Sequence, residues 1–206
     1  MSSATSLAHA SAARSSFNRV HAASTGLWVF IGVVSALFGL FFAAYVMRLS
    51  GVEGYPLLMP WQFWLSTALL VAGSWALECA SGLAKRGGNW RRPWTAGGGL
   101  ALAFVLTQLW AWSALGAAHV LPQGNPAASF LYLLTGMHGL HVLGGLIAWG
   151  VVARHLANSD QSDPALWRIG LCARFWHFLL ALWLLLFGTL SLLTPDLVRA
   201  ICGTPT

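Results

Sequence analysis

Five long apolar stretches, separated by short polar segments, dominate the chain. A helix of ~20 residues, rising ~1.5 Å per residue, crosses a hydrocarbon core of ~30 Å, and each stretch is at least that long. The pattern therefore predicts an all-α fold, a polytopic membrane protein with a bundle of five transmembrane helices. The predicted spans are residues 27–49, 61–82, 94–117, 130–153 and 172–194.

The segments that flank these spans divide the chain into three predicted parts. Residues 1–24 are rich in Ser and Ala and contain no apolar run, which predicts no cleavable signal peptide and a mobile arm, with a short surface helix as the alternative. Residues 25–195 form the five-helix transmembrane domain, and residues 196–206 form a short C-terminal tail.

Composition and charge fit this interpretation. Only 8% of the residues are charged, against roughly a quarter in soluble proteins, which excludes a soluble globular domain. The net charge of +6 does not predict a nucleic-acid partner, because the basic residues lie in the segments next to the spans and can attract anionic lipid headgroups.

Five spans put the termini on opposite sides, and the side of the N-terminus holds nine of the 11 Lys and Arg residues. These nine are Arg14, Arg19, Lys85, Arg86, Arg91, Arg92, Arg154, Arg168 and Arg174. The positive-inside rule then places the N-terminus in the cytoplasm and the C-terminus on the periplasmic or extracellular side.

Cysteine and tryptophan contribute less to the prediction. The cysteines, Cys79, Cys172 and Cys202, form no close pair, so neither a disulfide framework nor a CxxC metal site is indicated. Of the 12 tryptophans, several lie beside predicted helix ends, where indole rings prefer the membrane interface, and they are interpreted as anchors.

Two histidines lie near the middle of the fourth span. His138 and His141 share one helical stripe with Gly145 and Ala148. Ionisable groups at this depth usually face protein or a cavity, and small residues let another helix approach. The stripe predicts histidines that are hydrogen-bonded in a helix interface. Metal or haem ligation and a proton relay are the alternative hypotheses.

The fifth span carries a third histidine. His177 shares a face with Ala181 and Leu184, a seam that can pack against the fourth helix. If the helix begins at residue 172, His177 lies ~8 Å inside it, roughly 10 Å from the level of His141. That mismatch disfavours a closed metal site or a bis-histidine haem. The sequence also shows no Ser/His/Asp set, phosphate loop or paired carboxylates, so no catalytic site is predicted in this chain.

Other polar residues complete the set of candidates. Gln108, in the third span, needs an internal partner and is predicted to face the bundle. Glu78, about a turn from the end of the second span, is predicted to reach Lys85 or Arg86. Arg174 ends a predicted polar loop that begins at Arg154 and is a further interface candidate.

The motifs resemble a known family. The run from Tyr132 to Gly145, YLLTGMHGLHVLGG, closely resembles the fourth-helix signature of subunit III of haem-copper oxidases. The resemblance extends over all five spans and is to the five-helix form, which lacks the first two helices of longer members. It also includes Gly26-Leu27-Trp28-Val29-Phe30, Gln108-Leu109-Trp110-Ala111-Trp112, and Trp176-His177-Phe178 with Trp183 and Phe187.

The resemblance implies a non-catalytic subunit of a terminal oxidase, cytochrome c oxidase, in a bacterial inner membrane. It implies packing on subunit I, with subunit II and small subunits in the complex, haem and copper in those partners, no cofactor in this chain, and bound phospholipid. It also implies support of proton uptake into subunit I. However, Val33-Val34 and Leu179-Leu180 stand where the family usually has Ser-Glu and Val-Asp, so a proton role through those acids cannot be carried over.

Three alternative functions remain open at this point. Within the family, the chain could serve a quinol oxidase or act as a nitric-oxide-reductase accessory protein. Outside it, a stand-alone haem-b membrane redox protein would use His138, His141 and His177. A small transporter is disfavoured because the sequence has no internal repeat or pair of broken helices.

Overall fold

The computed structural model describes residues 2–49, 60–119, 126–157 and 166–192. Within them all regular secondary structure is helical, and each helix contains a segment long and apolar enough to cross a membrane. The predicted all-α, multi-pass fold is therefore confirmed. The predicted C-terminal tail and Cys202 lie outside the described residues. The helices are α1 (Ser2–Leu49), α2 (Gln62–Lys85), α3 (Arg91–Ala117), α4 (Pro126–Leu156) and α5 (Trp167–Leu192).

The helix boundaries correct the depth of two candidate residues. The beginning of α2 agrees with the prediction to within about a residue, but α5 begins at Trp167 and not at residue 172. Arg174 is therefore helical and not part of a loop, and His177 lies about ten residues, or ~15 Å, from the start of α5. The apolar pattern alone missed this first turn because Arg168 interrupts it, although a long basic side chain can reach the interface from within a helix.

The chain divides into two compact units, Met1–Ala36 and Leu37–Thr206. In the first unit α1 is continuous from Ser2, so residues 2–24, which were predicted to form a mobile arm, are helical. The apolar part of this helix begins at Asn18. In the second unit, the last third of α1 lies against α4. Phe38 meets His141 and Tyr45 meets Phe130, each edge to face, with ring centroids 5.6 Å and 5.7 Å apart.

Helices α2 to α5 form a closed ring of neighbours. Helix α2 packs against α3 and α5, and α4 packs against α3 and α5. Helices α3 and α4 run antiparallel: Trp94 at the start of α3 stacks on Trp149 near the end of α4, with centroids 6.0 Å apart. At the opposite end, Trp112 Nε1 donates to Thr135 Oγ1 at 3.2 Å. This α2–α5 bundle positions all the candidate polar residues.

Two adjacent glycines bring α3 close to its neighbours. A Cβ atom on Gly97 would lie 2.6 Å from Leu77 Cγ in α2, and one on Gly98 would lie 2.3 Å from the ring of Trp149. That ring is fixed by a hydrogen bond from its Nε1 to the Trp94 carbonyl oxygen at 3.1 Å. The contact between α3 and α4 therefore requires glycine at position 98.

The variant Gly98→Ala should lower the free energy of unfolding by about 1–3 kcal/mol, since the rigid Trp149 ring has to move. The matched control is Gly99→Ala, because a Cβ atom there has nothing within 4 Å. Alanine favours a helix, so this control should be neutral or slightly stabilising. Both values can be measured by detergent unfolding followed by circular dichroism, and equal losses would contradict the packing described for Gly98.

Candidate functional site

The middle of the α2–α5 bundle is an aromatic cluster around Trp183 of α5, which is 1% exposed. Its ring is stacked with that of Phe63 at 6.1 Å, lies edge to face with Phe104 at 5.2 Å, and is 5.1 Å from the His138 imidazole. Its Nε1 donates to Thr67 Oγ1 at 2.9 Å. One side chain of α5 thus contacts α2, α3 and α4.

His138 is part of this cluster and is fully buried. It lies between Trp183 and Phe104, with the Phe104 ring edge to face at 5.8 Å. Within the described residues neither ring nitrogen has a hydrogen-bond partner, so the cross-helix hydrogen bond predicted for His138 is not found there. In this structure its imidazole serves as packing surface.

His141 lies one turn further along α4 and faces a different helix. Its ring meets Phe38 of α1, and its Nδ1 donates to the Met137 carbonyl oxygen at 2.7 Å. Gly145, predicted to share its stripe, instead receives Phe175 and Trp176 of α5. The two motif histidines therefore face different neighbours and do not converge.

His177 joins α5 to α2 through two hydrogen bonds. Its Nδ1 lies 2.5 Å from Ser74 Oγ, and its Nε2 lies 3.1 Å from Glu78 Oε2. A carboxylate only accepts, so Nε2 donates to Glu78, and in the neutral ring Nδ1 accepts from the Ser74 hydroxyl. The described partner of Glu78 is thus His177 and not Lys85 or Arg86 as predicted, because α5 packs beside α2 and places the imidazole next to the carboxylate.

The prediction that the His177 face of α5 packs against α4 is wrong. His177, Ala181 and Leu184 are exposed and do not pack on α4. The side of α5 that meets α4 is formed by Phe175, Trp176 and Leu179, against which Gly145 lies.

Ser74, His177 and Glu78 form a serine–histidine–acid set that the sequence analysis did not predict. Ser74 and Glu78 are four residues apart on α2, a spacing that puts them on one face, but only the position of α5 could identify the histidine. Ser74 is 1% exposed, so its hydroxyl is inaccessible to an acyl substrate. The set is a hydrogen-bond network between two helices.

The remaining candidates have separate places. Gln108 is buried, and its Nε2 donates to Ser66 Oγ at 2.8 Å, which in turn donates to the Phe63 carbonyl oxygen at 2.9 Å. Arg174 is exposed on α5, about one turn from His177 towards the start of the helix. Among the described residues no three His, Cys, Asp or Glu side chains are grouped closely enough to hold a metal ion.

These features define a polytopic membrane protein in which several polar side chains join neighbouring helices. No family model matches the chain. Cytochrome c oxidase subunit 3 of Thermostichus vulcanus is 27% identical over 179 residues, which cover 82% of this chain and 86% of that protein. Cytochrome bo(3) ubiquinol oxidase subunit 3 of Pseudomonas aeruginosa is 26% identical over 179 residues, covering 82% and 83%. The corresponding protein of Pseudomonas putida is 33% identical over 91 residues, or 44% of each chain. With the motifs of the fourth and fifth helices, these relatives make the chain similar to subunit III of haem-copper oxidases over most of its length.

The hydrogen bond of Trp183 can be tested with two threonine variants. Thr67→Val leaves the buried Nε1 of Trp183 without its acceptor and should cost about 1–2 kcal/mol of unfolding free energy. Thr107→Val is the control. The Thr107 hydroxyl donates to the Ala103 carbonyl oxygen of its own helix, just as the Thr67 hydroxyl donates to the Phe63 carbonyl oxygen. The control therefore loses the bond within the helix and keeps the indole bond. Detergent unfolding should show a smaller loss for the control. Equal losses would mean that the indole bond contributes nothing.

Proposed function

We propose that the chain is the non-catalytic subunit III of an aerobic respiratory terminal oxidase, a cytochrome c oxidase. In this role it packs on the haem- and copper-bearing subunit I, stabilises it and supports its proton uptake. The observation that carries the proposal is the disposition of the motif histidines. His138 packs in the core, His141 faces α1 and His177 faces α2. The histidines of the family motifs therefore make contacts between helices in this chain.

A quinol oxidase is the second candidate complex. The specific observation in its favour is the Pseudomonas aeruginosa relative, whose name is that of a ubiquinol oxidase subunit and which covers as much of the chain as the cytochrome c oxidase relative. Electron-donor choice would lie in other subunits. A stand-alone haem-b protein is disfavoured because His138, His141 and His177 face three different helices.

The setting follows from the same proposal. Subunit I is the main partner, with subunit II and small subunits in the complex, and phospholipids bind at the surface. The chain lies in a bacterial inner membrane with its N-terminus in the cytoplasm, on the side of Lys85, Arg86, Arg91 and Arg92. Haem and copper belong to the partner subunits.

Support of proton uptake would need groups other than the usual family acids. Valines and leucines stand at those positions, including Val34 and Leu179, both of which are buried. Glu78 and His177 are the carboxylate and imidazole that lie together within spans of this chain. We assign any such support to this pair.

In the assembled oxidase, His138→Ala should leave the initial rate of oxygen reduction per haem unchanged and shorten the lifetime of activity. The reason is that the variant opens a cavity beside Trp183 and lowers bundle stability by about 2–4 kcal/mol. His155→Ala is the control, since His155 is exposed near the end of α4. An oxygen electrode and the subunit stoichiometry of each sample give the readout. A His138→Ala complex that retains the chain but has lost its initial rate would refute the structural role.

A further inference from the structure

The outer side of α2 and α5 carries an ionisable pair that the chain itself leaves half exposed. The Glu78 side chain is 53% exposed and that of His177 is 43% exposed. Glu78 lies about seven residues, or ~10 Å, before the end of α2, and His177 lies ~15 Å from the start of α5. A glutamate side chain is too short to reach the interface over that distance.

Apolar residues lie beside this pair on both helices, and exposed Arg174 lies about one turn from His177 towards the start of α5. On α2, Val71 and Trp75 lie on the helical face of Glu78, and Trp75 is 72% exposed. On α5, Ala181 and Leu184 follow His177 at helical spacing and are exposed as well. We refer to Val71, Trp75, Glu78, His177, Ala181 and Leu184 as the α2–α5 outer face.

A lipid environment does not suit the centre of this face. A carboxylate exposed to hydrocarbon is costly, and intramembrane ionisable residues nearly always face protein or a water-filled cavity. Within the described residues, the hydrogen bond of the Glu78 carboxylate is the one through Oε2 to His177. The exposed part of the carboxylate is therefore available to a donor from a neighbouring protein.

The pair is also held in place before any partner arrives. Ser74, which is buried, bonds to Nδ1 of His177 and fixes the ring, so that Nε2 points to Glu78. A docking group that is already ordered loses less conformational entropy on binding than a free side chain.

We propose that the α2–α5 outer face is the docking surface for a transmembrane helix of the haem-bearing subunit, and that this helix places an N–H or O–H donor side chain opposite Glu78. The inference rests on the proposed function for the existence of that subunit. It adds which face of this chain the partner helix covers and which kind of side chain contacts Glu78.

Other occupants fit less well. A second copy in a symmetric dimer would use the same patch on both chains and bring acid towards acid. A lipid headgroup would have to lie ~10 Å below the end of α2. The end of α1 lies against α4, through Phe38 and Tyr45.

The first test changes Glu78 in the oxidase purified from its native membrane. Glu78→Leu removes the acceptor, leaves the partner's donor unpaired, and should speed loss of the chain in detergent by ~30-fold or more. Glu78→Gln keeps an acceptor oxygen and should restore most of the association. If lipid covers this face, Glu78→Leu should instead bind as well as the wild type or better, which would overturn the inference.

The second test identifies the occupant. A benzophenone amino acid at Ala181, on the outer face, should crosslink on illumination to a membrane-spanning peptide of the haem-bearing subunit that contains a donor side chain. The control places the same probe at Ile147, an exposed position of α4. Crosslinks from position 181 to lipid alone, or to a second copy, would overturn the docking surface. If the wild-type chain copurifies with no haem-bearing subunit at all, the proposed function itself fails, and the two failures are thereby distinguished.

Discussion

The contact of Trp183 with three other helices is the interaction on which the α2–α5 bundle depends. In lipid there is no hydrophobic force between helices, so association relies on close packing and on polar groups that find partners within the protein. Trp183 meets both needs: its ring packs between Phe63, Phe104 and His138, and its N–H group bonds to Thr67. Near one end of the bundle, the glycines of α3 let α2 and α4 approach this helix closely. Towards the other end, the bond of Trp112 to Thr135 joins α3 and α4.

This arrangement determines where the chain can act. Aromatic rings fill the centre of the bundle and enclose His138, whereas the pair of Glu78 and His177 lies on the outer face of two helices. The pair of Glu78 and His177 is thus accessible to a neighbour in the membrane. This disposition agrees with the similarity to subunit III of haem-copper oxidases, and it gives a physical reason for the proposed role in contact and stability.

The sequence was sufficient for the number of helices, for most of the extent of α2 to α5 and for the burial of Gln108, because these depend on the length of apolar runs and on the cost of polar groups in lipid. It was not sufficient for the partners of the histidines. His138 and His141 are three residues apart, yet the rotation of α4 gives them different neighbours. His177 was placed too shallow because Arg168 hid the first turn of α5. Ser74 carries no signal of its own, since a serine in a membrane helix more often bonds within its own helix.

The most direct measurement is the unfolding free energy of the chain in detergent for Trp183→Ala beside Trp75→Ala. Both variants remove an indole ring, but Trp183 is 1% exposed and contacts α2, α3 and α4, whereas Trp75 is 72% exposed. If the bundle depends on the Trp183 contacts, Trp183→Ala loses about 3–5 kcal/mol and Trp75→Ala loses less than about 1 kcal/mol. Similar values for the two variants would contradict the central place given to Trp183.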